Sequence, residues 1–212
     1  MSTDDRRATT DDPVRHEYRQ VIDALRAGGV VAVPTDTVYG LVAVASDAAA
    51  VERVYEIKAR DRSQPMPLFV ASVEQAELVG EMNGPARVLA AKFWPGALTI
   101  VLRKKAAYAT RAVAGGDTVA VRAPDDSFLR EAAAQLGPLT GTSANIAGRE
   151  ECHTAAEVRA QLGDAVDLIV DAPVAATGPP STIVDCSDSA GVRIVREGAV
   201  SAAAVAECVA GL

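Results

Sequence analysis

Aromatic residues are scarce in this 212-residue chain: 3 Phe, 4 Tyr and 1 Trp make up 4% of it. Because 49% of the residues are nonetheless hydrophobic, Ala, Val and Leu must fill the core. Histidine is scarcer still, limited to His16 and His153, and Cys152, Cys186 and Cys208 stand far apart without C-x-x-C spacing. A His/Cys metal cluster and a disulfide framework are thereby excluded, and the thiols read as the reduced cysteines of a cytosolic protein. The chain has no G-x-G and no G-x-x-x-x-G-K-[ST], so both common phosphate-binding fingerprints are missing. No apolar run approaches the roughly 20 residues of a membrane span, and MSTDDRRATTDDP at the start lacks the apolar core of a signal peptide. Basic residues are also in deficit, 21 against 28 acids, for a net charge of −7. That balance argues against a general nucleic-acid binder and leaves room only for a local basic patch. A cytoplasmic, globular protein is expected.

At this length the chain can bury one substantial core. Residues 1–14 are expected to be a mobile tail, since the acidic, polar start has no apolar periodicity, and 15–212 one catalytic-sized domain. Tyr18, Val21, Ile22 and Leu25 follow helical spacing up to Gly28-Gly29. The β-branched run Val30–Val33 ends at Pro34, which has no N–H to continue a ladder, and so reads as a buried strand. Further strands are expected at 41–45, 68–71, 98–102, 118–121, 139–145, 167–171, 182–186 and 192–195. Helices are expected at 48–58, 73–80, 85–93, 127–136, 155–162 and 202–210, with Ser127 and Thr154 as N-caps. Interleaved strands and helices, with closely spaced late strands, indicate an α/β fold on a mixed sheet.

The chemistry-bearing residues collect at strand ends. Thr35-Asp36-Thr37 follows the first strand, where ligands bind in open α/β sheets, although an Asp/Thr turn is the plainer reading. Lys58 and Arg60 leave a helix into a polar loop, Arg122 and Arg196 follow strands, and Thr118, Ser143, Asn145, Ser181 and Thr182 sit at strand edges. Cations without acidic sequence neighbours suit an anionic ligand such as a nucleotide triphosphate. Each also has a structural reading: Lys58 as a helix C-terminal charge, Arg122 and Arg196 as surface ion pairs. Gly141–Asn145 approaches a nucleophile elbow, but Asn145 stands where that turn wants Gly. Alternation in an extended segment would put Ser143 and Asn145 on one face.

Taken in order, PTDTVYGL (34–41), KAR (58–60), PL (67–68), FWPGALTIVL (93–102), DTVAVRAP (117–124), TSANIAG (142–148), STIVD (181–185) and VREGAV (195–200) resemble the Sua5/YciO/YrdC family of threonylcarbamoyl-AMP synthases. The resemblance runs from about residue 15 to the C-terminus and suggests the short, single-domain form. It implies a twisted open mixed α/β sheet with flanking helices around a large concave cleft. It also implies the reaction: L-threonine, bicarbonate and ATP give threonylcarbamoyl-AMP and pyrophosphate for the t6A modification of tRNA, with Mg²⁺ accompanying ATP. Carried over by position, Thr37, Arg122, Ser143 and Ser181 match threonine contacts. Arg60, Thr118, Asn145 and Arg196 match ATP contacts, and Gln64 and His153 fall near further ones. Lys58 and Arg60 are the implied catalytic cations.

This sequence departs from the family pattern at Asp61, which sets an acid beside those cations, at Phe69, where a His is frequent, and at His153, where Thr is usual. No side chain is suited to a covalent intermediate, so catalysis by positioning and charge stabilisation is expected. Downstream t6A transferase proteins are the implied partners, with at most weak tRNA or double-stranded RNA binding. Two rivals stand beside this reading: an RNA-binding module, and a YciO-like relative with another substrate. Lys58, Arg60, Ser143 and Asn145 favour the synthase over both.

Overall fold

The computed structural model describes residues 13–172, 179–188 and 191–211. Of the expected tail, residues 1–12 lie outside them, whereas Pro13 and Val14 open the first helix. In chain order the elements are α1 (Pro13–Arg26), β1 (Val31–Val33), β2 (Gly40–Val42), α2 (Ala48–Ile57), β3 (Leu68–Phe69), α3 (Val73–Val79), α4 (Gly84–Phe93) and β4 (Leu98–Arg103). Then come β5 (Thr118–Arg122), α5 (Ser127–Leu136), β6 (Leu139–Thr140), β7 (Thr142–Ser143), α6 (Ala155–Leu162), β8 (Leu168–Ile169), β9 (Thr182–Asp185), β10 (Arg193–Arg196) and α7 (Ala202–Val209). Two short 3-10 turns, Arg111–Val113 and Gly163–Ala165, escape the periodicity argument because neither spans enough residues to show one.

The expected mixed sheet is present but divided. A four-stranded sheet runs β7-β2-β1-β8 and a six-stranded sheet runs β10-β9-β4-β5-β3-β6. Both mix parallel and antiparallel pairs: β1 is antiparallel to β2 and parallel to β8, and β4 is antiparallel to β5 and parallel to β9. The division passes through the segment 139–145 expected as one strand. β6 pairs with β3 in the larger sheet, Gly141 intervenes, and β7 pairs with β2 in the smaller one. A Cβ at Gly141 would lie 2.7 Å from the Phe69 ring, so the crossing requires glycine.

The unbroken apolar run at β1 now has its reason. Val30 and Ala32 belong to the main core with Leu41, Val51 and Ile100, whereas Val31 and Val33 join a second cluster with Val21, Leu25 and Leu129. A strand buried on both faces has no polar positions to alternate. Full burial of each valine contributes about 1.5–3 kcal/mol, which offsets the entropy of ordering this short strand. Helix ends are capped as the sequence suggests at Thr154, whose hydroxyl and Glu157 form a reciprocal capping box. At α5 the cap is Asp126, not Ser127: its carboxylate accepts from the Leu129 N–H at 2.8 Å. Among the described residues, no helix is long and apolar enough to cross a membrane.

Candidate functional site

The two sheets face each other across a cleft of about 320 Å³. One wall comes from the β1–β2 turn, with Thr35, Thr37 and Val38, and from Thr142 and Ser143 of β7. The other is the face of β5, where Thr118, Ala120 and Arg122 fall at i, i+2 and i+4 and point the same way. Small Ala120 leaves room between the two functional ends of that strand. Arg60, Glu151, Ser181 and Arg196 line the rim, and Phe69 lies within.

Arg122 closes the inner end and is 4% exposed. Its Nη2 pairs with Asp36 Oδ1 at 2.6 Å, Nε donates to Gly96 O at 2.9 Å, and Nη1 donates to Thr37 Oγ1 at 3.3 Å. Its carbon Cζ lies 5.9 Å from the Phe69 ring centre. Burial pulls the guanidinium below its ordinary range, Asp36 pushes it back up, and Arg196 lowers it again. Thr37 is fixed in turn. Its backbone N–H donates to Thr35 Oγ1 at 3.1 Å, and Thr35 donates to Val38 O at 2.7 Å. Proline at 34 and two hydroxyls thus make the turn that presents Thr37.

The rim is built differently. Arg60 Nε and Nη2 donate to the carbonyls of Gln64 and Pro65 at 3.2 and 2.9 Å, and Arg196 Nη2 donates to Ser181 O at 2.8 Å. These contacts leave guanidinium donors over and bring no acidic partner. Ser181 Oγ lies 2.9 Å from Thr99 Oγ1. Asp61, the acid beside the cations, accepts from the Ser63 N–H at 2.8 Å and is not a cleft-lining residue. That hydrogen bond holds its carboxyl below the usual range.

Seven of the residues expected from sequence therefore converge: Thr37, Arg60, Thr118, Arg122, Ser143, Ser181 and Arg196. Lys58, Gln64, Asn145 and His153 do not line the cleft. Lys58 is the clearest correction. It does leave α2 as the C-cap, but its side chain does not stand in solvent: it is 2% exposed and turns inward. Nζ donates to the carbonyls of Ser143 and Asn145, the latter at 2.7 Å, and to Asn145 Oδ1 at 3.2 Å. Burial, together with nearby Arg60, lowers its pKa from 10.5 to about 8.

Asn145 lies beside Ser143, as the alternation suggests, but it is buried and does not reach the cleft. Its Oδ1 accepts from Ser143 Oγ at 2.5 Å, and its Nδ2 donates to Arg149 O at 2.7 Å. It organises the loop behind the cleft wall. Gln64 acts through its main chain: its carbonyl accepts from both Tyr55 and Arg60. His153 donates its backbone N–H to Glu157 Oε2 at 2.7 Å, and its Nδ1 is enclosed without a partner among the described residues. Sequence reasoning marked Asp36 as part of the strand-end cluster but not as the partner of Arg122, and it passed over Glu151, which sits in a loop with no pattern to mark it.

The Sua5/YciO/YrdC family model, described as telomere recombination, matches residues 23–198. The chain belongs to this family. The threonylcarbamoyl-AMP synthase of Bacillus subtilis (strain 168) is 36% identical over 196 residues, which cover 91% of this chain and 56% of that relative. The threonylcarbamoyl-AMP synthase of Vibrio vulnificus (strain YJ016) is 32% identical over 186 residues, 85% of this chain and 97% of the relative. Among solved structures, P. abyssi Sua5 complexed with L-threonine superposes with a TM-score of 0.85 at 33% identity, over 91% of this chain and 57% of that one. The chain thus spans a little over half of the longer relatives and nearly all of the shorter. All the residues that line the cleft, from Thr35 to Arg196, lie within the matched span.

Proposed function

We propose that this chain is an L-threonylcarbamoyladenylate synthase acting in the cytoplasm. It converts L-threonine, bicarbonate and ATP into threonylcarbamoyl-AMP and pyrophosphate, supplying the transferases that make t6A in tRNA. One observation carries the reading: a single cleft holds a buried, oriented guanidinium with a threonine hydroxyl beside it, and on its rim two further guanidinium groups without acidic partners. The first suits a carboxylate held by a planar fork, the second a polyphosphate.

On this reading Arg122 and Thr37 bind the amino-acid carboxylate, and Ser143 and Ser181 orient the rest of threonine. The neutral amine adds to the carbon of bicarbonate and water leaves, giving a carbamate. A carbamate oxygen then attacks the α-phosphorus, and the bond to pyrophosphate breaks. Arg60 and Arg196 offset the charge that develops on the leaving phosphates, while Thr118 holds the nucleotide. Lys58 acts one layer back, fixing Ser143 and Asn145. A Mg²⁺ would neutralise phosphate charge; Glu151, the one carboxylate among the described cleft-lining residues, would hold it together with phosphate oxygens and water.

Pyrophosphate release measured with each substrate omitted in turn tests the proposal. Release that needs ATP, threonine and bicarbonate together is expected. Hydrolysis to ADP that ignores threonine, with no adenylate formed, would overturn it.

A further inference from the structure

Asp36 belongs to the turn after β1, in the four-stranded sheet, yet its carboxylate works on the six-stranded sheet. Oδ1 accepts from Arg122 Nη2 at 2.6 Å and Oδ2 accepts from the Asp125 N–H at 3.1 Å. Both members of the ion pair are nearly closed to solvent, at 5% exposure for Arg122 and 11% for Asp36. Such a pair is costly to desolvate and is a poor device for stability alone. Its geometry points to another use. A guanidinium has five N–H donors. Three are directed at Asp36, Thr37 and Gly96. The two left over sit one on each terminal nitrogen, where they can donate to a ligand carboxylate.

From this arrangement we infer that Asp36 is a positioning residue for threonine recognition, which rests on the activity proposed above. It holds the Arg122 plane across the gap between the sheets, so that the unspent N–H pair faces the cleft. Thr37 and the Gly96 carbonyl fix two edges of the plane, but neither is charged, and only Asp36 neutralises the buried cation before substrate arrives. The other wall donates no acid to Arg122 among its hydrogen bonds, so removal of Asp36 leaves no substitute. Asp36 touches no reacting atom and acts through Arg122.

The test compares Asp36→Ala and Asp36→Asn with wild type, using pyrophosphate release and calorimetric titration of L-threonine. Asp36→Ala loses the pin, and the threonine KM is expected to rise about ten-fold or more, the loss of one charge-assisted hydrogen bond. The ATP KM is expected to stay within about two-fold, because Arg60 and Arg196 are untouched. Asp36→Asn keeps an acceptor oxygen for Nη2 but not the charge, and sets a donor against the Asp125 N–H, so its threonine KM is expected to fall between those of wild type and Asp36→Ala. An unchanged threonine KM in Asp36→Ala would overturn the inference. So would a parallel rise in both KM values, the mark of a merely structural role, or an Asn variant no better than Ala. Wild type that binds threonine without forming an adenylate would sink the proposed activity but leave the role of Asp36 standing. Wild type that binds no threonine would sink both.

Discussion

Lys58 and Arg60 are two residues apart in one motif, and the fold treats them in opposite ways. Lys58 is enclosed and directs its ammonium at three oxygens of the 143–145 segment. Arg60 stands on the cleft rim with only the carbonyls of Gln64 and Pro65 for company. Arg122 and Arg196 repeat the contrast, the first buried against Asp36, the second exposed and tied to Ser181 O. A buried cation must have its donors satisfied, because leaving one unmet costs the full desolvation of that group. Lys58 is therefore committed to holding the site in shape, and Arg122, with three of its donors spent on the protein, keeps two for the amino-acid carboxylate. The rim pair keeps donors in reserve, and only such cations can accept a phosphate without first giving up a protein partner.

The sharpest way to break this contrast is Lys58→Met, which keeps the bulk and removes the donor. Stranded carbonyls at Ser143 and Asn145 should lower stability by roughly 2–4 kcal/mol, read as a shift in denaturant midpoint. Unchanged stability would put Lys58 with the rim cations. A pH series refines the same point. The folded pKa of about 8 lies below the ordinary 10.5, so the folded state binds this proton more weakly than the unfolded chain does. Stability assigned to Lys58 is then lowest below pH 8 and rises as pH climbs toward 10.5. The gap between wild type and Lys58→Met should widen from about pH 8 to pH 10. A gap that stays level over this range would mean that the three oxygens keep the ammonium charged throughout.

Arg60→Ala is the complementary case. Stability should stay within about 0.5 kcal/mol of wild type, as for exposed positions away from a packed network. The transition state should lose roughly 1.5–3 kcal/mol, a ten- to hundred-fold fall in kcat/KM for ATP at constant threonine. A fall in stability with activity preserved would reverse the assignment of the two residues.

Much of this was legible in the sequence, and the parts that were not share a cause. Thr37, Thr118, Arg122 and Ser181 could be placed because period-two alternation and strand ends carry through to a common cleft face. The split of 139–145 between two sheets could not, since nothing in Leu139–Ser143 announces that Gly141 must slip past the Phe69 ring. Lys58 and Asn145 were recognised as important but given to the nucleotide. A cation's sequence neighbours say nothing about the carbonyls that meet it from 85 residues away. The pairing of Asp36 was hidden for the same reason, its partner Arg122 being 86 positions distant.

The smallest expected effect concerns the hinge between the two cations. Ala59 has φ of 48°, in the left-handed region, and its side chain is exposed. The bend is what sends Lys58 inward while Arg60 turns to the rim, so its conformation is fixed by the site. An L-residue in this region costs about 1–2 kcal/mol through the close approach of Cβ to the following carbonyl. Glycine escapes that cost but gives up about 0.4–1 kcal/mol through the freedom it adds to the unfolded chain. The strain term is the larger, and no buried contact is lost with an exposed methyl. Ala59→Gly should therefore raise stability by about 0.5–1 kcal/mol, a gain of a few degrees in Tm for a chain of this size. Activity should change by less than about two-fold, because Arg60 is positioned by Gln64 O and Pro65 O and not by the residue before it. A lower Tm would show that the bend is unstrained. A loss of activity at higher Tm would show instead that the stiffness of Ala59 helps to hold the rim cation apart from the buried one.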